Sequence, residues 1–192
     1  MLVPGLYQFF HRQVQDGFGT QGVGEPAAVD YVSDLLTRFT QIRTFHAIRN
    51  ASGEPVTSIA GLLAERRRTQ GWDNARVDRP REALIVRHIG EYSLFMSGLF
   101  RDRLTARGQL GYYLDQGRSA FWHCASFESD PARIRLFRYL YGTFDRVSAA
   151  LDHMRRIQLP LTPANAPVSP LAALWRARQP AAPPCIPPRA LW

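Results

Sequence analysis

The stretch EYSLFMSGLFRDRL, residues 91–104, constrains the fold of this chain more than any other part of its sequence. The nine residues from Tyr92 to Phe100 carry no charge, and charged residues lie on both sides of them. A helix that is apolar all round belongs in the centre of a bundle or in lipid. The charges end the run far short of the roughly 18 apolar residues that a membrane span needs. The stretch therefore predicts the central helix of a bundle, with an apolar stripe at Ile85, Ile89, Tyr92, Met96 and Leu99.

The rest of the body predicts further helices and no convincing strand. Glu25-Pro26 opens one helix, and Thr57 and Ser58 are capping residues for a shorter one that ends in three arginines. Another helix is predicted over residues 111–127. The last begins after Asp130 and has the clearest apolar pattern, at Phe137, Leu140, Phe144, Val147, Leu151 and Met154. We expect an all-α fold, a single bundle of about five to six helices over residues 1–157.

Residues 158–192 differ in composition from the body. They hold nine of the fourteen prolines, a density that a packed helix does not tolerate. This predicts an extended, proline-rich tail as the second region of the chain. The tail has three arginines, two tryptophans and no acidic residue. We expect it to dock in the groove of a partner through Trp175, Arg176, Arg178 and Trp192.

The charge of the chain is strongly positive and comes from arginine alone. There are 24 arginines and no lysine, and the formal net charge is +8. A positive field of this kind attracts nucleic acid or anionic surfaces. Codon bias in a GC-rich genome is the favoured explanation of an all-arginine composition. Acidic residues are interleaved throughout and no helix that reads DNA bases is recognisable, so each arginine cluster is interpreted as a solvated helix face and nucleic acid stays an alternative partner. The arginines concerned are Arg66 to Arg68, Arg101, Arg103, Arg107, Arg133, Arg135 and Arg138.

Two features bear on the compartment of the protein. Cys124 and Cys185 are too few for a disulfide framework. The start, MLVPGLYQFFHRQVQDGF, lacks the charged beginning and long apolar run of a signal peptide. With no predicted membrane span, we expect the cytoplasm.

No motif in the sequence predicts a cofactor, a metal or a catalytic set. GFGTQGVG, residues 17–24, matches the G-x-G-x-x-G pattern, but the segment before it looks helical and no βαβ unit follows. We interpret it as a flexible glycine connection. His88 and Glu91 share a helix face, yet a di-iron bundle needs Glu-x-x-His twice, with further glutamates. Cys124 is interpreted as a small buried apolar residue.

One group of polar and aromatic residues lies on the central helix and the helix after it. If these two helices pack as a hairpin, the group lines a common groove with the composition of a ligand pocket or an interface. The alternative is that the rings fill the core and their polar ends reach solvent. The candidates are His88, Glu91, Tyr92, Tyr112, Tyr113, Asp115, Arg118 and Trp122.

The segments YSLFMSGLFRDRL and YYLDQGRSAFW resemble an uncharacterised family of small helical bacterial proteins. The resemblance implies a bacterial origin and a helical body, and it brings no activity, cofactor or catalytic residue with it. We expect a non-catalytic accessory or regulatory protein that works through contacts of its helix faces and tail with a protein partner. The alternatives are a nucleic-acid-binding protein, and a sensor or enzyme with a small-molecule pocket between the central helix and the next.

Overall fold

A computed structural model describes residues 4–41, 44, 46–71 and 77–158, and these contain seven α-helices. The only strand-like pairing within these ranges is an isolated bridge between Arg49 and Pro55. The predicted all-α fold is therefore confirmed. The helices are α1 (Pro4–Thr20), α2 (Pro26–Phe39), α3 (Ile59–Thr69), α4 (Arg79–Leu99), α5 (Arg101–Ala106), α6 (Leu110–Phe127) and α7 (Pro131–Gln158).

The helix count exceeds the predicted five to six because the chain turns at Phe100. This residue has φ −118° and ψ 26°, which ends α4 and starts the six-residue helix α5. The predicted tail lies outside the described residues, apart from residue 158 at the end of α7. Its proposed docking residues, Trp175, Arg176, Arg178 and Trp192, lie outside them as well.

Helix α4 is the centre of the bundle, as its apolar sequence predicts. It packs against α3, α6 and α7, and its residues from Ile85 to Leu99 are buried apart from Arg87 and Met96. Small residues let the helices approach closely. A Cβ atom on Gly98 would lie 2.6 Å from the Cβ of Leu151 on α7, so the two backbones meet there.

Capping side chains form hydrogen bonds at the helix starts that the sequence predicts. The Ser58 side chain accepts a hydrogen bond from the Gly61 amide at 3.1 Å, and the Asp130 side chain accepts one from the Ala132 amide at 2.9 Å. Helix α4 begins in the same way, because Asp78 accepts from the amide of Arg81 at 3.0 Å. Each cap satisfies a backbone donor that the first helical turn leaves open.

The glycine-rich segment 17–24 differs from its prediction as a flexible connection. Helix α1 continues through Gly17 and Gly19 to Thr20, and only the residues after it turn, with Gly22 at φ +65°. Gly17 is buried in the contact with α7, where an added Cβ would lie 3.2 Å from the Cβ of Met154. The prediction was wrong for this half of the segment because a helix contact, and not chain flexibility, requires the glycine.

The membrane question raised by the apolar stretch is answered for the described residues. None of their helices is both long enough and apolar enough to span a bilayer.

Candidate functional site

The eight candidate residues divide between the interior of the bundle and its outer surface. His88, Glu91 and Tyr92 are buried on α4, and the half-buried Tyr113 stacks on Tyr92 with 6.2 Å between the ring centroids. The other four lie on the solvent side of α6, where Arg118 is partly exposed and three are exposed: Tyr112, Asp115 and Trp122. The interior and surface groups have different partners and are considered separately.

Glu91 is bound by residues of α2. The Tyr31 hydroxyl donates to Glu91 Oε1 at 2.7 Å, and Arg38 Nη1 and Nη2 donate to the carboxylate at 3.2 and 2.9 Å. Arg38 Nε also donates to Asp34 at 2.6 Å. Burial, and then the negative charge of Glu91, raise the pKa of Tyr31 well above its ordinary value. The carboxylate is thus bound inside the bundle by an arginine whose side chain reaches solvent.

The other interior candidates pack as core residues. The His88 ring lies 5.8 Å from the Phe39 ring and 6.3 Å from the Tyr92 ring. Cys124 is 4% exposed, and burial raises the pKa of its thiol to about 12. In the part of the chain that the structure describes, no three His, Cys, Asp or Glu side chains come together as metal ligands. These residues join α2, α4 and α6, and their geometry assigns them to the core.

The space between α4 and α6 is filled by side chains at two glycines. An added Cβ on Gly90 would lie 3.0 Å from the Phe121 ring. An added Cβ on Gly117 would lie 2.2 Å from the Phe144 ring and 2.8 Å from the Cβ of Ser93. This packing disfavours a ligand pocket between the two helices.

Two of the four surface candidates, Arg118 and Trp122, form a patch with α7, and Tyr112 and Asp115 are not part of it. The Trp122 and Tyr141 rings are 5.1 Å apart, and their residues are 52% and 37% exposed. One turn away on both helices, Arg118 Nη2 donates to Asp145 Oδ2 at 2.5 Å. The pairs align because α6 and α7 are antiparallel and each contributes residues i and i+4. We call the four residues of these two pairs the α6–α7 face.

An open depression adjoins the α6–α7 face. Its volume is about 360 Å³, and it is lined by residues 141–146 of α7 together with Arg118. Its floor is shallow at Gly142, where no atom lies within 4 Å of the position of a Cβ. A side chain from outside the chain has room to enter here beside the aromatic pair.

Sequence reasoning missed half of this face. It identified Arg118 and Trp122 but read α7 only for its apolar positions, and so passed over Tyr141 and Asp145. A signal was present: an aromatic and an acidic residue four apart fall on the solvent side of the helix with the clearest apolar pattern. Tyrosine is enriched at protein interfaces, so Tyr141 could have been identified from its residue type and position.

Comparison with known proteins adds a regional likeness. No family model matches the chain, and no solved structure matches it. It is similar to the DNA polymerase II large subunit of Natronomonas pharaonis, with 35% identity over 97 residues. The match covers 46% of this chain and 8% of that protein. The likeness therefore concerns a small part of a much longer protein.

Proposed function

We propose that this chain is a non-catalytic, cytoplasmic accessory or regulatory protein that binds a protein partner at the α6–α7 face. The observation that carries the proposal is the exposure of Trp122, which is 52% accessible although it packs against Tyr141. Tryptophan, tyrosine and arginine are the residues most enriched in the energetic centres of protein interfaces. A partner that covered this pair would remove a large apolar area from water, which favours association.

The position of the ion pair supports the same role. Arg118 and Asp145 lie one turn from the rings, with side chains 39% and 55% exposed. Exposed pairs of this kind add little stability to the fold. Placed beside an aromatic pair, they supply the polar surround that keeps water from the centre of an interface.

The interior agrees with a binding role more than with a small-molecule enzyme or sensor. Glu91, the buried acid that a pocket would use, is already bound by Tyr31 and Arg38. The contact of α4 with α6 is closed by aromatic rings at Gly90 and Gly117. The relative with the regional likeness is, by its name, one subunit of a polymerase, which fits a role in assembly.

The proposal is tested by comparing what the wild-type chain and a Trp122→Ala variant capture. Phe9→Ala is the matched control, because Phe9 is 42% exposed on α1 and is not one of the residues of the α6–α7 face. We expect a partner that wild type and Phe9→Ala retain and Trp122→Ala loses. With that partner purified, loss of a hot-spot tryptophan should weaken the dissociation constant by about 30-fold or more. Identical capture by all three proteins would refute the proposal.

The proline-rich tail is a second contact in this proposal. It supplies two tryptophans and three arginines with no acid, a composition suited to anchoring in a groove of the partner. Deleting residues 159–192 should abolish capture of the partner without lowering the helical circular dichroism of the body. Unchanged capture by the truncated body would remove the tail from the interface and leave the α6–α7 face to be judged separately.

A further inference from the structure

Three arginines form a row along the outer side of α7. Arg135, Arg138 and Arg146 are all exposed. At 100° per residue they fall within about 80° of one another around the helix axis, and they span roughly 16 Å along it. Gly142 lies on the same strip between them. We call these three residues the arginine row.

The arginine row differs from the neighbouring arginines of α7 in lacking acidic partners. Neighbouring arginines of α7 are paired, as Arg133 is with Glu128 at 2.7 Å and Arg156 with Asp152 at 2.9 Å. Within the described ranges of the chain, the arginines of the row have no ion pair with an acidic side chain. A cluster of unpaired guanidinium groups on a rigid helix is a preorganised surface for anions.

We infer that the arginine row binds the phosphate backbone of double-stranded nucleic acid, independently of base sequence. Duplex DNA carries about one negative charge per 1.7 Å of its axis, and the guanidinium fork matches phosphate oxygens. Gly142 leaves the surface open between the arginines, where nothing lies within 4 Å of a Cβ position. A contact of the row with the same row of a second copy is disfavoured because it would place arginine against arginine.

The form of the surface favours a duplex over a single strand. Proteins that bind single strands combine basic residues with aromatic rings on which bases stack. Tyr139, one turn from Arg135, is only partly exposed, and the neighbouring rings of Trp122 and Tyr141 pack against each other at 5.1 Å. The inferred contacts are to phosphates, so they position a duplex on the surface and do not read its base sequence.

The expected salt dependence follows from the number of arginines. Three phosphate contacts predict a slope of about −2.7 for the logarithm of the association constant against the logarithm of salt concentration. Raising NaCl from about 50 to about 200 mM should therefore weaken binding through the row roughly 40-fold.

The test uses the full chain and a fluorescein-labelled duplex of about 20 base pairs of mixed sequence, followed by anisotropy over that salt range. The charge-reversal variant is Arg135→Glu/Arg138→Glu/Arg146→Glu. The matched control reverses three exposed arginines elsewhere, Arg12, Arg67 and Arg107. Both variants change the net charge equally and keep the tail, so only the place of the charges differs. Circular dichroism establishes that each is folded.

We expect the row variant to lose at least about 40-fold in duplex affinity at low salt, and most of its salt slope. The control should keep its duplex affinity within about fivefold and should keep its salt slope. Trp122→Ala should leave duplex binding unchanged, which separates this inference from the protein contact proposed above. Four results would overturn the inference: no duplex binding at low salt, an equal loss in the control, tighter binding of a thymidine 20-mer than of the duplex, or equal competition by polyglutamate.

Discussion

Replacing Glu91 by glutamine tests the buried polar contact between α2 and α4. The Glu91 side chain is 4% exposed and accepts hydrogen bonds from the Tyr31 hydroxyl and from two nitrogens of Arg38. Glutamine keeps the size of the side chain and removes its charge. It also places an NH₂ group opposite a guanidinium donor, so one hydrogen bond is replaced by a contact between two donors.

The expected cost can be bounded from the exposure of the partner. Removing one member of a buried ion pair costs about 3–5 kcal/mol. Arg38 keeps its 2.6 Å contact with Asp34, and its side chain is 28% exposed, so water replaces part of what is lost. We therefore expect the lower end, a loss of about 3 kcal/mol in the free energy of unfolding. For a body of this size, that corresponds to a fall of about 6–12 °C in the melting temperature.

Thermal and urea unfolding followed by circular dichroism measure this change. Glu54→Gln is the control, because Glu54 is exposed and its loss should stay within about 0.5 kcal/mol. In a double-mutant cycle with Arg38→Met, the double variant should lose about 1–3 kcal/mol less than the sum of the single variants. A melting temperature lowered by less than about 2 °C, or strict additivity, would refute the assigned role of the contact.

Three further predictions concern close packing and buried titratable groups. Gly98→Ala should destabilise the fold by about 1–3 kcal/mol, because its Cβ would lie 2.6 Å from a side-chain carbon of α7. Gly142→Ala should stabilise the fold by up to about 1 kcal/mol, because its Cβ would meet nothing within 4 Å. Equal urea midpoints for the two variants would contradict this. Burial raises the pKa of Cys124 to about 12 from 9.0. In a Cys185→Ser chain, iodoacetamide should therefore alkylate folded Cys124 on the order of 1,000-fold more slowly than the unfolded chain. Equal alkylation rates would disprove the burial argument. Burial raises the pKa of Tyr31 above its unfolded value, so its contribution to stability is complete below about pH 10 and declines at higher pH. Tyr31→Phe should therefore make the loss of stability at alkaline pH shallower. An unchanged dependence of stability on pH would count against this role of Tyr31.

Much of the fold was predictable because its signals are local. The apolar run of α4, the capping residues Ser58 and Asp130, and the apolar repeat of α7 are each visible within a few turns of sequence. The breaks were less predictable. Gly17 continues α1 because α7 packs against it, and Phe100 ends α4 through its backbone angles. Neighbouring residues in the sequence predict neither the contact of Gly17 with α7 nor the backbone angles of Phe100.

The candidate site was predictable only on the helix that the sequence singled out. Arg118 and Trp122 were identified from their own composition, whereas Tyr141 and Asp145 become part of the face only when α7 lies beside α6. The partners of Glu91 were unpredictable for the same reason, because Tyr31 and Arg38 lie on another helix, α2. Sequence periodicity places a side chain on a face of its helix, but which helix meets that face is decided by packing of the whole body.

The distribution of ion pairs explains why the positive excess of this chain emerges on α7. Burying an unpaired acid is costly, and each buried acid in the described part contacts an arginine: Glu65 with Arg68 and Arg81, Glu82 with Arg66, Glu91 with Arg38, and Asp152 with Arg155 and Arg156. These arginines are fixed by the requirements of folding. The arginine row meets no such requirement, since it is exposed and contacts no acid in that part. Reversing its charges should change stability by less than about 0.5 kcal/mol, while reversing Arg38 should unfold the contact of α2 with α4. The anionic partner inferred above therefore predicts that reversal weakens duplex binding and leaves the stability of the body within that range, and a loss of stability without a loss of duplex binding would contradict it.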